Sequence, residues 1–73
     1  MDRNRITLAI ARRVNLAIRE AGYDAHSVAQ AADITTSELE DRLSGRVDFQ
    51  LGELVRVGGF LRTPAHRFME EAA

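Results

Sequence analysis

The chain contains no cysteine, which excludes a disulfide framework and a thiolate metal site. Lysine is also missing, so all ten basic residues are arginine. That bias fits a GC-rich genome, and arginine also suits phosphate recognition. No apolar run nears the roughly 18 residues of a membrane span. The opening "MDRNRITLAIARR" has neither the uninterrupted apolar block nor the cleavage site of a secretory signal. A soluble intracellular protein is the expectation. Repeats, low-complexity tracts and linkers are absent, and apolar/polar alternation never runs far enough to form a strand pair. What is present is one domain, residues 1–73, whose 45% apolar content is enough for a single core.

Bulk charge gives no support to nucleic-acid binding, because the formal net charge is −1. Its distribution is more informative. Residues 1–19 hold Arg3, Arg5, Arg12, Arg13 and Arg19 against Asp2, a balance of +4. Residues 20–73 hold five arginines against ten acids, a balance of −5. Such a split marks either a binding surface or a dipolar fold.

Helical periodicity appears in five segments. From about Arg5 to Ala21, Ile6, Ile10, Val14, Ala17, Ile18 and Ala21 share one face, and Gly22 is placed to close the helix. Three short helices are predicted to begin near 24, 35 and 50. Asp24 caps the first, with Tyr23 and Val28 as a hydrophobic staple. Thr35 and Glu38 form a T-x-x-E capping box at the second, stapled by Ile34 and Leu39. At the third, Glu53 follows Gln50 by three residues and Phe49 can staple to Leu54, with Asp48 an alternative cap. A fifth helix starts at "TPAHRFMEEAA", with Thr63 as cap, Pro64 at the first helical position and Phe68 as anchor. An all-α, compact five-helix bundle is expected.

The second and third segments are joined only by "ADIT", too short for a side-by-side hairpin and typical of a helix-turn-helix corner. The order "SVAQAADITTSELEDRLSGRVDFQLGELVRVGGFLRTPAHRF" resembles the Cro/repressor-type helix-turn-helix domains of phages and bacteria over roughly residues 10–70. The matching residues are Val28-Ala29 opening the second helix, then Ile34 and Thr35. Leu39, Arg42, Leu43, Ser44, Gly45 and Arg46 follow in the third, and Phe49, Leu51, Glu53 and Leu54 in the fourth. Two positions depart from the family. Its turn usually has glycine where this chain has Asp33, which tolerates a left-handed backbone better than most residues. Its last junction often has glycine where this chain has Arg62, a change expected to touch only a loop.

The resemblance implies a lambda-repressor-like fold, with the helix-turn-helix at about 24–44, and a Cro-sized regulator that binds double-stranded operator DNA. It implies base contacts at Thr36, Ser37, Glu40 and Asp41 on the recognition helix at about 35–44, and phosphate contacts at His26, Ser27, Ser44 and Arg46. Further phosphate contact is expected from Arg3, Arg5, Arg12 and Arg13, the one concentrated basic supply. Glutamate and aspartate can accept from the cytosine amino group. Glu40 and Asp41 are therefore either cytosine readers or a sign that the groove is not the target. Glu38 is accounted for by the capping box.

The family binds palindromic sites as dimers, so a weak or DNA-assisted homodimer is expected. Leu8, Leu16, Val47, Val57 and Phe60 fall off the main apolar stripes and are either exposed or part of such a contact. His26 and His66 lie on different helices without a neighbour at ligand spacing, so no metal site is expected. Nothing resembles a nucleophile elbow or a phosphate loop, and the reading is non-enzymatic, with no cofactor, small-molecule substrate or membrane. The implied location is the cytoplasm of a bacterial host cell, at the nucleoid. The alternative is a helix-turn-helix fold used for protein–protein contact, as in an antirepressor, an adaptor or an antitoxin-like regulator.

Overall fold

The second, third and fourth helices start and stop where the chain supplies partners for unpaired backbone groups. A computed structural model describes residues 3–70, and for Arg3 and Asn4 the backbone alone. It contains α1 (Arg3–Ala21), α2 (Ala25–Ala32), α3 (Thr36–Leu43), α4 (Leu51–Leu61) and α5 (Ala65–Met69), and no strand among the described residues. α1 begins two residues before the predicted Arg5. At α2 the Asp24 carboxylate accepts the Ser27 N–H at 2.8 Å, satisfying one of the orphan donors of the first turn. At α3 the predicted box is complete: Glu38 N–H donates to Thr35 Oγ1 at 3.0 Å, and Thr35 N–H to Glu38 Oε1 at 2.8 Å.

At α4 the cap is Gln50, whose N–H donates to Glu53 Oε1 at 2.9 Å. The alternative cap, Asp48, instead accepts the Thr7 hydroxyl of α1. α5 starts one residue later than predicted, with Pro64 preceding the helix rather than opening it and Thr63 not acting as cap. The cause lies in the end of α4. Thr63 N–H is taken by Gly58 C=O at 2.8 Å and its hydroxyl donates back to Leu61 C=O at 3.5 Å, so both its polar groups are turned to the end of α4 rather than to the start of the next helix.

The ends of α2, α3 and α4 share a device. The residue after each helix region turns left-handed, at Asp33 (φ 63°), Gly45 (φ 83°) and Arg62 (φ 59°). The following N–H reaches back five residues: Ile34 to Ala29, Arg46 to Asp41, and Thr63 to Gly58. This is the Schellman arrangement, which pairs carbonyls left over at a helix end. A left-handed backbone costs an ordinary L-residue about 1–2 kcal/mol, and aspartate is more tolerant than arginine. Asp33 takes the conformation the corner required. The departure at Arg62 does more than alter a loop, because its strained backbone is the link that ends α4. Gly58 is needed for the same reversal, since a Cβ there would lie 2.3 Å from the Thr63 carbonyl oxygen.

One core joins all five helices. Val14 and Ile18 of α1, Val28, Ala29 and Ala32 of α2, Leu39 of α3, Leu54 and Val57 of α4 and Phe68 of α5 form a single buried cluster. α2 packs on both α3 and α4, and α1 lies across α3, α4 and α5. The radius of gyration, 11.0 Å, is that of a compact chain of this length, about 11 Å. Three expectations change. Ala21 is exposed, and Ala11, at i−3 from Val14, is buried in its place. Val57 is wholly buried rather than spare, because it lies three residues from Leu54 on the same face of α4. Tyr23 has a ring partner beyond the predicted staple: its centroid is 4.5 Å from that of half-buried Phe60.

Candidate nucleic-acid interface on the third helix

α3 has two faces with opposite tasks. Leu39, Arg42 and Leu43, at i, i+3 and i+4, face the body of the protein. Ser37, Glu40, Asp41 and Ser44, at i, i+3, i+4 and i+7, lie on the other side. Ser37, Glu40 and Ser44 are exposed and Asp41 is half-buried. Thr36 shares the register of Leu39 and Leu43 and is also half-buried, so it belongs to the edge of the inward face rather than to the outward one.

The inward face is fastened by an ion pair that sequence reading did not single out. Arg42 Nε donates to Glu53 Oε1 at 2.8 Å and its NH2 to Glu53 Oε2 at 3.2 Å, the fork-to-fork geometry in which arginine outperforms lysine. Both side chains are largely out of water, 12% and 7% exposed. Arg42 also donates to the Glu38 carbonyl at 3.1 Å. Burial pushes the Glu53 carboxyl up, but the Arg42 hydrogen bond, the Gln50 N–H and the nearby Arg56 charge outweigh it, so it sits below its ordinary value. The Arg42 guanidinium is raised by the same bond, burial opposing. Glu53 thus serves twice, as capping carboxylate of α4 and as anchor of α3. The signal was available: Arg42 and Glu53 both stand in the matched pattern, but the capping role explained Glu53 by itself.

The outward face has a looser pair. Arg46, just past the helix, comes within 3.7 Å of Asp41, with side chains 74% and 42% exposed. The Ser44 hydroxyl donates to the Asp41 carbonyl at 2.9 Å and accepts from Arg46 Nε at 3.3 Å. Ser44 and Arg46, both expected at phosphate, are therefore engaged with each other and with α3. Bonds this exposed contribute little and break readily.

The other expected phosphate residues are dispersed. His26 is exposed in the first turn of α2 and Ser27 half-buried. The Ser27 N–H is already given to Asp24, so the chain's own carboxylate occupies the place where a phosphate would sit. Asp24 is held below its usual value chiefly by that bond, with the Ser27 hydroxyl and His26 adding to it and burial opposing. On α1, Arg5 and Arg12 are exposed and Arg13 is half-buried, while the Arg3 side chain lies outside the described residues. The first turns of α1 adjoin the end of α3. Thr7 bonds Asp48, and Leu8 packs so closely under Gly45 that a Cβ there would meet its Cδ2 at 2.4 Å. The first turns of α1 thus pack against the segment after α3 that carries Arg46.

An open depression of about 480 Å³ beside the α2–α3 corner is lined by Gln30, Asp33, Ile34, Thr35 and Glu38. Among the described residues, no three potential metal-ligating side chains converge, and no helix is long and apolar enough to cross a membrane. Comparison with protein-family models, with curated proteins and with solved structures found no match to this chain.

Proposed function

We propose that the chain is a Cro/repressor-type helix-turn-helix regulator of the lambda-repressor-like fold, binding double-stranded operator DNA through α2 and α3. The observation that carries this reading is the division of labour on α3. The capping box, Leu39 and the Arg42–Glu53 pair hold the helix from one side, and leave Ser37, Glu40, Asp41 and Ser44 out of the core. A short helix anchored in this way after a three-residue corner can enter a major groove without moving the core. Base edges would meet Ser37, Glu40 and Asp41, with Thr36 at the rim. Arg46 and the arginines early in α1 would supply phosphate neutralisation, which dominates affinity. Few cations face the duplex, so binding is weak without sequence recognition.

Selection of bound duplexes from a random pool at low salt, followed by gel shift, tests the reading. A defined, two-fold-related sequence is expected. Folded protein that shifts no sequence in preference to another sinks it. A second reading has an observation of its own. Glu38 and Glu40 are exposed and the corner depression is acid-lined, which suits a basic protein surface, as in an antirepressor, adaptor or antitoxin-like protein. Glu40→Gln and Asp41→Asn separate the two. Altered sequence preference means readout, whereas a uniform gain in DNA affinity means that the acids only repel.

A further inference from the structure

The segment between α3 and α4, residues 44–50, carries Arg46 and lies outside every helix. Two anchors hold it, from different parts of the chain. The first is the end of α3. The Asp41 carbonyl accepts three bonds, from the Ser44 hydroxyl at 2.9 Å, the Arg46 N–H at 3.0 Å and the Val47 N–H at 3.3 Å. The second is the start of α1, where the Thr7 hydroxyl donates to the Asp48 carboxylate across 41 residues of sequence. Beside it, a Leu8 methyl lies 2.4 Å from where a Gly45 Cβ would stand. Only glycine lets a side chain come so near, and the same glycine supplies the left-handed turn at φ 83°.

The core gives Thr7 and Leu8 no other task. Leu8 is 43% exposed, and neither residue belongs to the buried cluster or packs against it. Arg46 stands between their two contacts in sequence, Gly45 before it and Asp48 after it. Its backbone is therefore fixed while its side chain stays 74% exposed. That combination has a physical use. A cation on a wandering loop loses the freedom of the loop, as well as its own rotamers, when it binds an anion. Fixing the backbone beforehand removes the larger of these penalties. The bonds that now occupy the guanidinium, to Ser44 at 3.3 Å and Asp41 at 3.7 Å, are exposed. They compete little with a phosphate, which arginine binds through short, charge-assisted hydrogen bonds.

We propose that Thr7 and Leu8 are positioning residues for Arg46: they fasten the 44–50 segment to α1, so that Arg46 is already placed for a backbone phosphate of the duplex. The phosphate rests on the operator-binding reading, whereas the fastening does not, and two measurements separate them. Without DNA, backbone order parameters from NMR relaxation should be about 0.85 at Arg46 and Val47, the level of rigid backbone. They should fall to about 0.6 when Thr7→Val and Leu8→Ala are combined, and part of the way in Thr7→Val alone. Values within α2 should stay unchanged. Thr7→Ser, which keeps the hydroxyl, should preserve the order, as should Leu16→Ala at an exposed site elsewhere on α1. With a duplex selected from a random pool, Thr7→Val should weaken binding about threefold and lower the slope of log affinity against log salt by up to about 1. In an Arg46→Gln background it should change neither, because the contact it serves is gone. A general loss of stability would weaken both backgrounds alike. Order that survives the combined variant, or that Thr7→Ser loses, overturns the fastening. Equal weakening with and without Arg46 overturns its purpose. A chain that binds no duplex overturns the functional reading and the phosphate role with it, while the order parameters still decide the fastening.

Discussion

The two sides of α3 use the same residue types to opposite ends. Inward, Arg42 meets Glu53 at 2.8 Å with both side chains nearly dry. Outward, Arg46 stands 3.7 Å from Asp41 in open water. Water decides the difference. A buried charge left without its partner is costly, so the inner pair behaves as a single rigid element. An exposed pair gains almost nothing from its geometry, so the outer residues can exchange each other for a ligand. A helix of eight residues is too short to hold itself. Its rigidity comes from one side, which leaves the other available for binding.

The largest effect should come from emptying the inward side. Leu39→Ala removes a wholly buried side chain from the core, where α3 packs on α1 and α2. It should cost about 4 kcal/mol in chemical denaturation, near the upper part of the range for buried leucines. Next, Glu53→Ala strands Arg42 and removes the partner of the Gln50 N–H, and should cost about 3 kcal/mol. Replacing both members, Arg42→Met with Glu53→Leu, should recover most of that loss, since no charge is then left unpaired.

The same pair sets an acid response. The Glu53 carboxyl titrates below its ordinary value of 4.5. Its contribution is therefore complete above about pH 4.5 and is lost as pH falls through the lower folded value. Glu53→Gln should flatten this part of the stability–pH profile, read from thermal unfolding between neutral and acid pH. An unchanged profile would show that the clamp does not govern it.

Smaller effects belong to the corner and the outer side. Asp33→Gly relieves a left-handed backbone at φ 63° and should raise stability by about 0.5–1 kcal/mol. Its measurement is the shift in denaturation midpoint at constant slope. The smallest change is expected from Asp41→Asn, which breaks the outer pair and should move stability by less than about 0.5 kcal/mol. If Asp41→Asn instead destabilises as much as Glu53→Ala, the two sides of α3 do not differ in the way described.

Helix starts were legible because they depend on residues close in sequence. The Asp24 cap and the Thr35–Glu38 box each act within three residues. The start of α5 was not, because Thr63 was claimed by Gly58 of the preceding helix. Most of the core followed from periodicity, yet Val57 and Ala11 did not, since a helix face is chosen by the neighbours that cover it. At the candidate site the outward positions Ser37, Glu40 and Asp41 could be read from register alone. The state of Ser44 and Arg46 could not, because their hydrogen bonds depend on where the chain turns after Gly45.

By itself, the sequence determined five amphipathic segments, their capping residues, the short corner at Asp33 and the separation of arginines from acids. These are local or additive properties, set by neighbours a few residues away. Only the tertiary structure decided that Arg42 turns inward to Glu53 while Arg46 stays in water. It also decided that Thr7 and Leu8 bring the basic end of α1 against the loop after α3, and that Leu51 and Val55 remain uncovered. Those outcomes depend on which surfaces exclude water from one another, and that is a property of the packed chain.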